Sequence, residues 1–436
     1  MLTLALVALL PTIWIVDANN GPGTNFTDLP AAVAAAQNGD TLLVRAGVYT
    51  AFVVSGKALT IRGEGTAATV VQHPVPLPSD YRMTTFETTP PGQTCYLAGI
   101  RFAPTASFFE PALKVRSDAR LVAMDCEFTH LLGGPLASGV LVQGELHAQR
   151  CSIRGGDGLF NGAVTGGLGA AGVDVTGSGR FAADACTLQG GTGVGGSPFG
   201  ALVPPTGGIG LLLQQSAIAT VAGCNLRGGN AGPPGPFGQP SVGGLGVYAG
   251  GTSFLRLAGT AAHEVRGGTS VSGTHTPAMQ LDNQGAIVHG AIQLLASTPG
   301  GPTISGSGAA LVVARPARPA FALTATLLPS GTVDATAPVT IDLDGTRPNQ
   351  VWLFVLSTTP EFLAGLAPIA EGELLVSLAS SVSWAGLLDA AGLASFAFTP
   401  AAFGPLDVPL HAQAVTLDFA TGEILLSSAD VRVYTP

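Results

Sequence analysis

Three times along the chain a cysteine is followed by a variable residue, an apolar residue, another variable residue and two glycines: Cys151-Ser-Ile-Arg-Gly-Gly, Cys186-Thr-Leu-Gln-Gly-Gly and Cys224-Asn-Leu-Arg-Gly-Gly. Cys126-Glu-Phe is an earlier copy without the glycines. Upstream of each copy a small residue is followed by apolar, variable, apolar and variable positions, at Ala112-Leu-Lys-Val-Arg, Gly139-Val-Leu-Val-Gln, Gly172-Val-Asp-Val-Thr and Gly210-Leu-Leu-Leu-Gln, with echoes at Gly246-Val-Tyr-Ala-Gly and Ala278-Met-Gln-Leu-Asp. Such alternation belongs to a strand with one buried face. A period of about 25 to 38 residues built from short strands predicts a coil whose turns bury their apolar faces only against each other.

Aligned on this period, the chain has two inward columns, Leu113/Val140/Val173/Leu211/Val247/Met279 and Val115/Val142/Val175/Leu213/Ala249/Leu281. A slip of one residue would turn each of these side chains outward, so the register is strongly specified. Four of the five cysteines share one inward slot of successive rungs, roughly 4.8 Å apart. Side chains stacked in register point in parallel, which suits a disulfide poorly. The expectation is a column of buried free thiols that act as small hydrophobes, not as nucleophiles or metal ligands.

Between each cysteine phrase and the next strand, three long insertions leave the coil, at 155–171, 190–209 and 228–245. They are rich in Gly and Pro, and Asp157 is their one ionisable side chain. Leaving at the same step of consecutive rungs, they are expected to lie together on one edge. There they offer backbone groups freed by glycine and Phe160, Phe199 and Phe237 as apolar anchors for a partner. The alternative is a fringe packed only on itself.

Charged residues make up only 10% of the chain, whereas Gly (61) and Pro (32) are abundant, a balance that fits an all-β protein. A net charge of -9 without any basic run excludes non-specific nucleic-acid binding. Residues 1–11 read as a truncated signal segment, apolar but lacking a basic n-region and a small-x-small cleavage site. Asp17 ends the apolar run too early for a transmembrane span, so none is expected. Secretion or cell-surface location is the favoured reading, and a cytoplasmic protein whose first strand begins near Met1 is the alternative.

Thr27-Asp-Leu-Pro-Ala-Ala-Val-Ala-Ala-Ala-Gln-Asn-Gly39 spells a short helix, with a capping residue, an early proline and a closing glycine. Then comes Gly39-Asp-Thr-Leu-Leu-Val44, followed by Gly47 and Tyr49. This opening resembles the right-handed parallel β-helix proteins of the pectin-lyase-like superfamily, of the bacterial exported type with an accessory C-terminal β-domain. The resemblance implies a right-handed parallel β-helix over 12–314 with an amphipathic helix over its open end. It also implies outer-face chemistry: clustered carboxylates for calcium with a basic proton acceptor in the lyases, or a set of aspartates in the hydrolases. Within the coil, prolines at 74, 76, 78, 90 and 91 favour a loop excursion over 66–95.

Arg315-Pro-Ala-Arg-Pro319 reads as a linker over 315–320. Beyond it longer strands, at 339–343, 351–356, 373–378, 394–398, 412–417 and 423–426, predict a small antiparallel β-sandwich over 321–436.

The densest polar group is Asp125, Glu127 and His130 on one rung beside Arg150, Ser152 and Arg154 on the next. Asp125, Glu127, Arg150 and Arg154 are the candidate catalytic residues, and a cross-rung ion pair on an exposed face is the alternative. A second outward column, Lys114/Leu141/Asp174/Leu212/Tyr248, places Tyr248 where it could stack on a sugar ring. His147, His263 and His289 lack the spacing of a metal site and read as surface or rim residues. The favoured function is an exported or cell-surface structural or glycan-binding protein without catalysis, with a polysaccharide or cell-surface component as partner and no cofactor. The competing class is a polysaccharide lyase or glycoside hydrolase, with calcium entering only for a lyase.

Overall fold

The computed structural model describes residues 11–72, 83–104, 110–130, 137–158, 167–194, 206–233, 241–271, 273, 276–282, 286–298, 302–306, 312–315, 318, 320–325, 333–334, 336–345, 347–358, 360–364, 370–371, 373–376, 378, 381–400, 409–418 and 423–435. Three parallel sheets of eleven, nine and nine strands wind from Ile13 to Arg315 as a right-handed parallel β-helix. Sheet A, the longest, carries Arg120–Met124, Glu145–Gln149, Arg180–Asp184 and Ile218–Ala222. Each passes into sheet B (Glu127–Thr129, Ser152–Arg154, Thr187–Gln189, Asn225–Arg227) and then sheet C (Val140–Val142, Val173–Val175, Leu211–Leu213, Val247–Ala249).

The register is the one the repeats specify. Leu113 pairs Val140, Val140 pairs Val173, Val173 pairs Leu211, Leu211 pairs Val247 and Val247 pairs Met279, all of them buried. Cys126, Cys151, Cys186 and Cys224 are buried and unbridged. Cys186 donates to the Asp184 carbonyl at 3.2 Å and accepts the Cys151 amide at 3.3 Å, so each thiol joins two rungs. Just before each cysteine the chain turns from sheet A to sheet B through a left-handed residue: Asp125 (φ 51), Arg150 (φ 50), Ala185 (φ 52) and Gly223 (φ 58). That conformation costs a non-glycine residue roughly 1 kcal/mol and turns its side chain out at the corner.

The helix Leu29–Ala35 closes the N-terminal end, burying Leu29, Ala32 and Val33 in the coil's core, with Asp28 accepting the Leu29 amide at 2.8 Å. Asp40 accepts from the Trp14 indole (2.9 Å) and the Thr12 amide (2.8 Å), so it ties the first two strands of sheet A together. In 66–95 the structure departs from the expected loop excursion: Thr69–Gln72 is a strand of sheet B and Thr84–Thr88 a strand of sheet C. Pro74, Pro76 and Pro78 fall outside the described residues, and Pro90 and Pro91 follow the second strand, so no described strand position within 66–95 is a proline.

The last coil strand, Val312–Arg315, is followed by antiparallel sheets in which Ala320–Thr324, Val339–Asp344 and Leu393–Phe398 face Val351–Ser357, Ser381–Leu387, Pro409–Asp418 and Glu423–Thr435. Trp352 stacks on Phe396 at 5.1 Å in a core with Ile341 and Phe354. Arg318, expected in a linker, is buried and donates to the carbonyls of Leu426 and Ser427.

Candidate functional site

The polar group anticipated around Asp125 divides into three parts. At the corner, Arg150 forms a forked pair with Asp125 (2.7 and 2.9 Å) and also reaches Asp430 of the last strand, Glu423–Thr435, at 3.0 Å. Gln149 donates to the same Asp430 and accepts the Val431 amide at 2.8 Å. Arg154 instead forks onto Asp157 (2.7 and 2.8 Å), which accepts the Thr192 amide at 2.7 Å and so links two insertions. Glu127 accepts from the Thr129 hydroxyl at 3.0 Å, and His130 is fully buried, off the face on which it was expected.

The C-terminal antiparallel strands therefore lie over the outer face of sheet A. Val431 packs with Val122 and Met124 beside Tyr96 and Ala98, and the Tyr96 hydroxyl stands 3.0 Å from His411 Nε2. His147, read from the sequence as a surface or rim residue, is buried beneath this contact, and burial lowers its pKa to about 4. A signal for the covering was present in the sequence. Arg120-Leu-Val-Ala-Met124 and Arg180-Phe-Ala-Ala-Asp184 lose the apolar–polar alternation of a half-exposed strand, as strands buried on both faces do.

The stems of the three insertions form a two-layer glycine slab. Exit and return segments hydrogen-bond across the gap in one continuous line: Gly268 to Gly244 (2.7 Å), Gly244 to Gly229 (2.8 Å), Gly229 to Gly208 (2.8 Å), Gly208 to Gly191 (2.7 Å) and Gly191 to Ala170 (2.8 Å). Within each layer, Gly158 bonds Thr192, Gly193 bonds Asn230 and Gly207 bonds Val242. A Cβ on Gly191, Gly208, Gly229 or Gly244 would overlap a carbonyl of the preceding rung in its own layer, and one on Gly190, Gly207, Gly228 or Gly243 would overlap a carbonyl of the facing layer. As at the axis of collagen, only glycine allows the approach. These stem amides are thus spent on each other, which corrects the expectation that glycine leaves them free for a partner. Phe160, Phe199 and Phe237 lie outside the described residues.

Between this slab and the outer face of sheet C runs a groove of about 430 Å³. Its floor is an outward column of sheet C, where Asp174 pairs with Leu212 and farther along stands Gln280; its wall is formed by Gly207, Gly208, Gly243 and Gly244. Leu168, Ile209, Val242 and Leu245 make the lining largely apolar. Asp174 is the one ionisable residue among the described residues that line it. Its Oδ1 is buried without a hydrogen-bond partner, and burial lifts the carboxyl pKa to about 6. A perturbed carboxyl in a concave, mostly apolar site makes Asp174 a candidate functional residue. Tyr248 sits in the same column between Leu212 and Gln280, but its phenol bonds Asp282 and is not part of the lining. Sequence reasoning placed Asp174 in this column without singling it out, because its desolvation comes from the glycine returns opposite.

No family model matches the chain, and no curated protein does. Among solved structures, pectin methylesterase PemA from Erwinia chrysanthemi aligns at 14% identity and a TM-score of 0.34, covering 69% of this chain and 92% of that one. A mutant pectin methylesterase in complex with a hexasaccharide aligns at 13% identity and a TM-score of 0.23, covering 64% of this chain and 80% of that one. The fold assignment rests on the strand topology itself.

Proposed function

We propose that the chain is an exported or cell-surface β-helix protein that binds an extended glycan in the groove between sheet C and the glycine slab, without cleaving it. The groove itself carries the reading. Its lining comes from consecutive rungs, so its long axis follows the coil and suits a chain-like ligand. Leucine and isoleucine side chains offer surfaces for sugar ring faces, while Gln280, Ser138 and Thr206 offer partners for hydroxyls. Glycoside hydrolysis by the two-carboxyl route needs a second carboxyl across the bond, and among the described lining residues Asp174 is the only carboxyl.

Titration calorimetry against neutral and acidic hexasaccharides tests this. Binding should be lost when Leu212→Trp fills the groove, with the melting temperature unchanged. Equal affinity in that variant would refute the assignment. The catalytic alternative is favoured by one observation, the pKa of about 6 at Asp174, which suits a general acid. Polysaccharide cleavage abolished by Asp174→Asn would establish that reading in place of simple binding.

A further inference from the structure

The uncovered requirement in the groove is positive charge. Asp174 is flanked along its ladder by Leu141 and Leu212, and its Oδ1 is buried without a hydrogen-bond partner. The residues opposite, Gly207, Gly208, Gly243 and Gly244, have no side chains, and their ladder bonds face each other. On the same sheet, Lys114 stands two strands away, and Asp282 is engaged by Gln280 at 3.0 Å and by Tyr248. A desolvated carboxylate with no cation nearby is costly, and a ligand that brings the cation recovers that cost on binding.

We propose that the groove selects glycans bearing a free amino group, whose ammonium pairs with Asp174. This deepens the glycan reading above and rests on it. An ammonium gives a carboxylate charge-assisted hydrogen bonds that a hydroxyl does not match. A lysine peptide would supply the same charge, but an extended peptide binds a sheet through free backbone groups at an edge. Here the floor is a sheet face and the wall amides of Gly207, Gly208 and Gly244 are consumed in backbone bonds of the slab, so the sugar source is favoured.

The pH dependence follows from the two partners. Burial holds the carboxyl near 6, so the carboxylate is lost as pH falls through that value; the ammonium is lost as pH rises through the amine's own pKa. Affinity for an amino-sugar chain should therefore pass through a maximum near neutrality, while that for an uncharged chain should not.

The experiment compares a glucosamine hexamer, an N-acetylglucosamine hexamer and pentalysine by calorimetry at pH 5, 7 and 9, on the full chain and on Asp174→Asn. The expected result is that the glucosamine hexamer binds about 10-fold or more tightly than its acetylated counterpart at pH 7. That margin should vanish at pH 5 and in the variant. Equal binding of both hexamers at every pH would overturn the amine selectivity and leave the glycan reading standing. Binding of neither hexamer, together with Asp174-dependent binding of pentalysine, would overturn the glycan source. No binding of any probe would overturn both. Asp174→Asn removes a buried charge, so it should fold at least as stably as the parent, and its acetylated-hexamer affinity reports whether the groove is intact.

Discussion

Arg150 and Asp430 are separated by 280 residues in the chain and by 3.0 Å in the structure. The guanidinium lies between Asp430 and Asp125, so one cation ties the last strand of the chain to a corner of the coil. The residues that looked most like a catalytic set from the sequence in part join the coil to the C-terminal antiparallel strands.

If this joint is energetically coupled, Arg150→Ala and Asp430→Ala should not be additive. A double-mutant cycle read from urea unfolding should give an interaction of about 1–3 kcal/mol, as for partly buried groups in one network. Additivity within experimental error would remove Arg150 from the interface. The Asp125 side of the fork is more exposed and should contribute less.

Acid should loosen the same interface. Burial lowers the pKa of His147 to about 4 and that of His411 to about 3, from an ordinary 6.5. Above pH 6.5 the rings are neutral in both folded and unfolded chains and no penalty arises. As pH falls below that value the unfolded chain takes up protons that the folded one refuses, so stability declines by up to about 1.4 kcal/mol per pH unit for each histidine. Melting curves between pH 7.5 and 4.5 should show this slope, and His411→Gln should flatten it. Parallel slopes in parent and variant would mean that His411 does not titrate with unfolding.

The glycine slab predicts a steric cost distinct from backbone strain. Gly208→Ala should destabilise the coil by about 2 kcal/mol or more, because its Cβ has no space against the Ala170 carbonyl. Gly56→Ala, at φ +71 with nothing nearby, carries only the conformational penalty of about 1 kcal/mol. Chemical denaturation of both variants separates the two effects, and equal losses would argue against the close approach.

Thiol chemistry checks the core column. Burial pushes the Cys95 thiol up to about 12 and raises those of Cys126 and Cys186. Native protein should resist thiol reagents that modify the denatured chain at once. Cys186→Ala should cost about 1–2 kcal/mol as a small cavity, whereas Cys186→Asp should prevent folding by placing a charge in a dry core. A disulfide between Cys151 and Cys186 in a peptide map would contradict the free-thiol column.

The coil was legible in the sequence because its information is periodic. The alternation Val173-Asp-Val175 sets which face is inward, the recurrence of the cysteines sets which rung lies on which, and both act between neighbours in the stack. The capping helix and the motif around Asp40 were legible for a similar reason, since their partners lie within a few tens of residues. Three things required the tertiary structure. Val431 reaches sheet A through a contact with no period and no local propensity to betray it. The paired glycines announce their position but have no side chain to announce a role, and only the neighbouring rung and the facing layer show why a Cβ is excluded. Asp174 reads as one more outward polar residue until the glycine returns close over it, because desolvation belongs to the space around a group and not to the group itself.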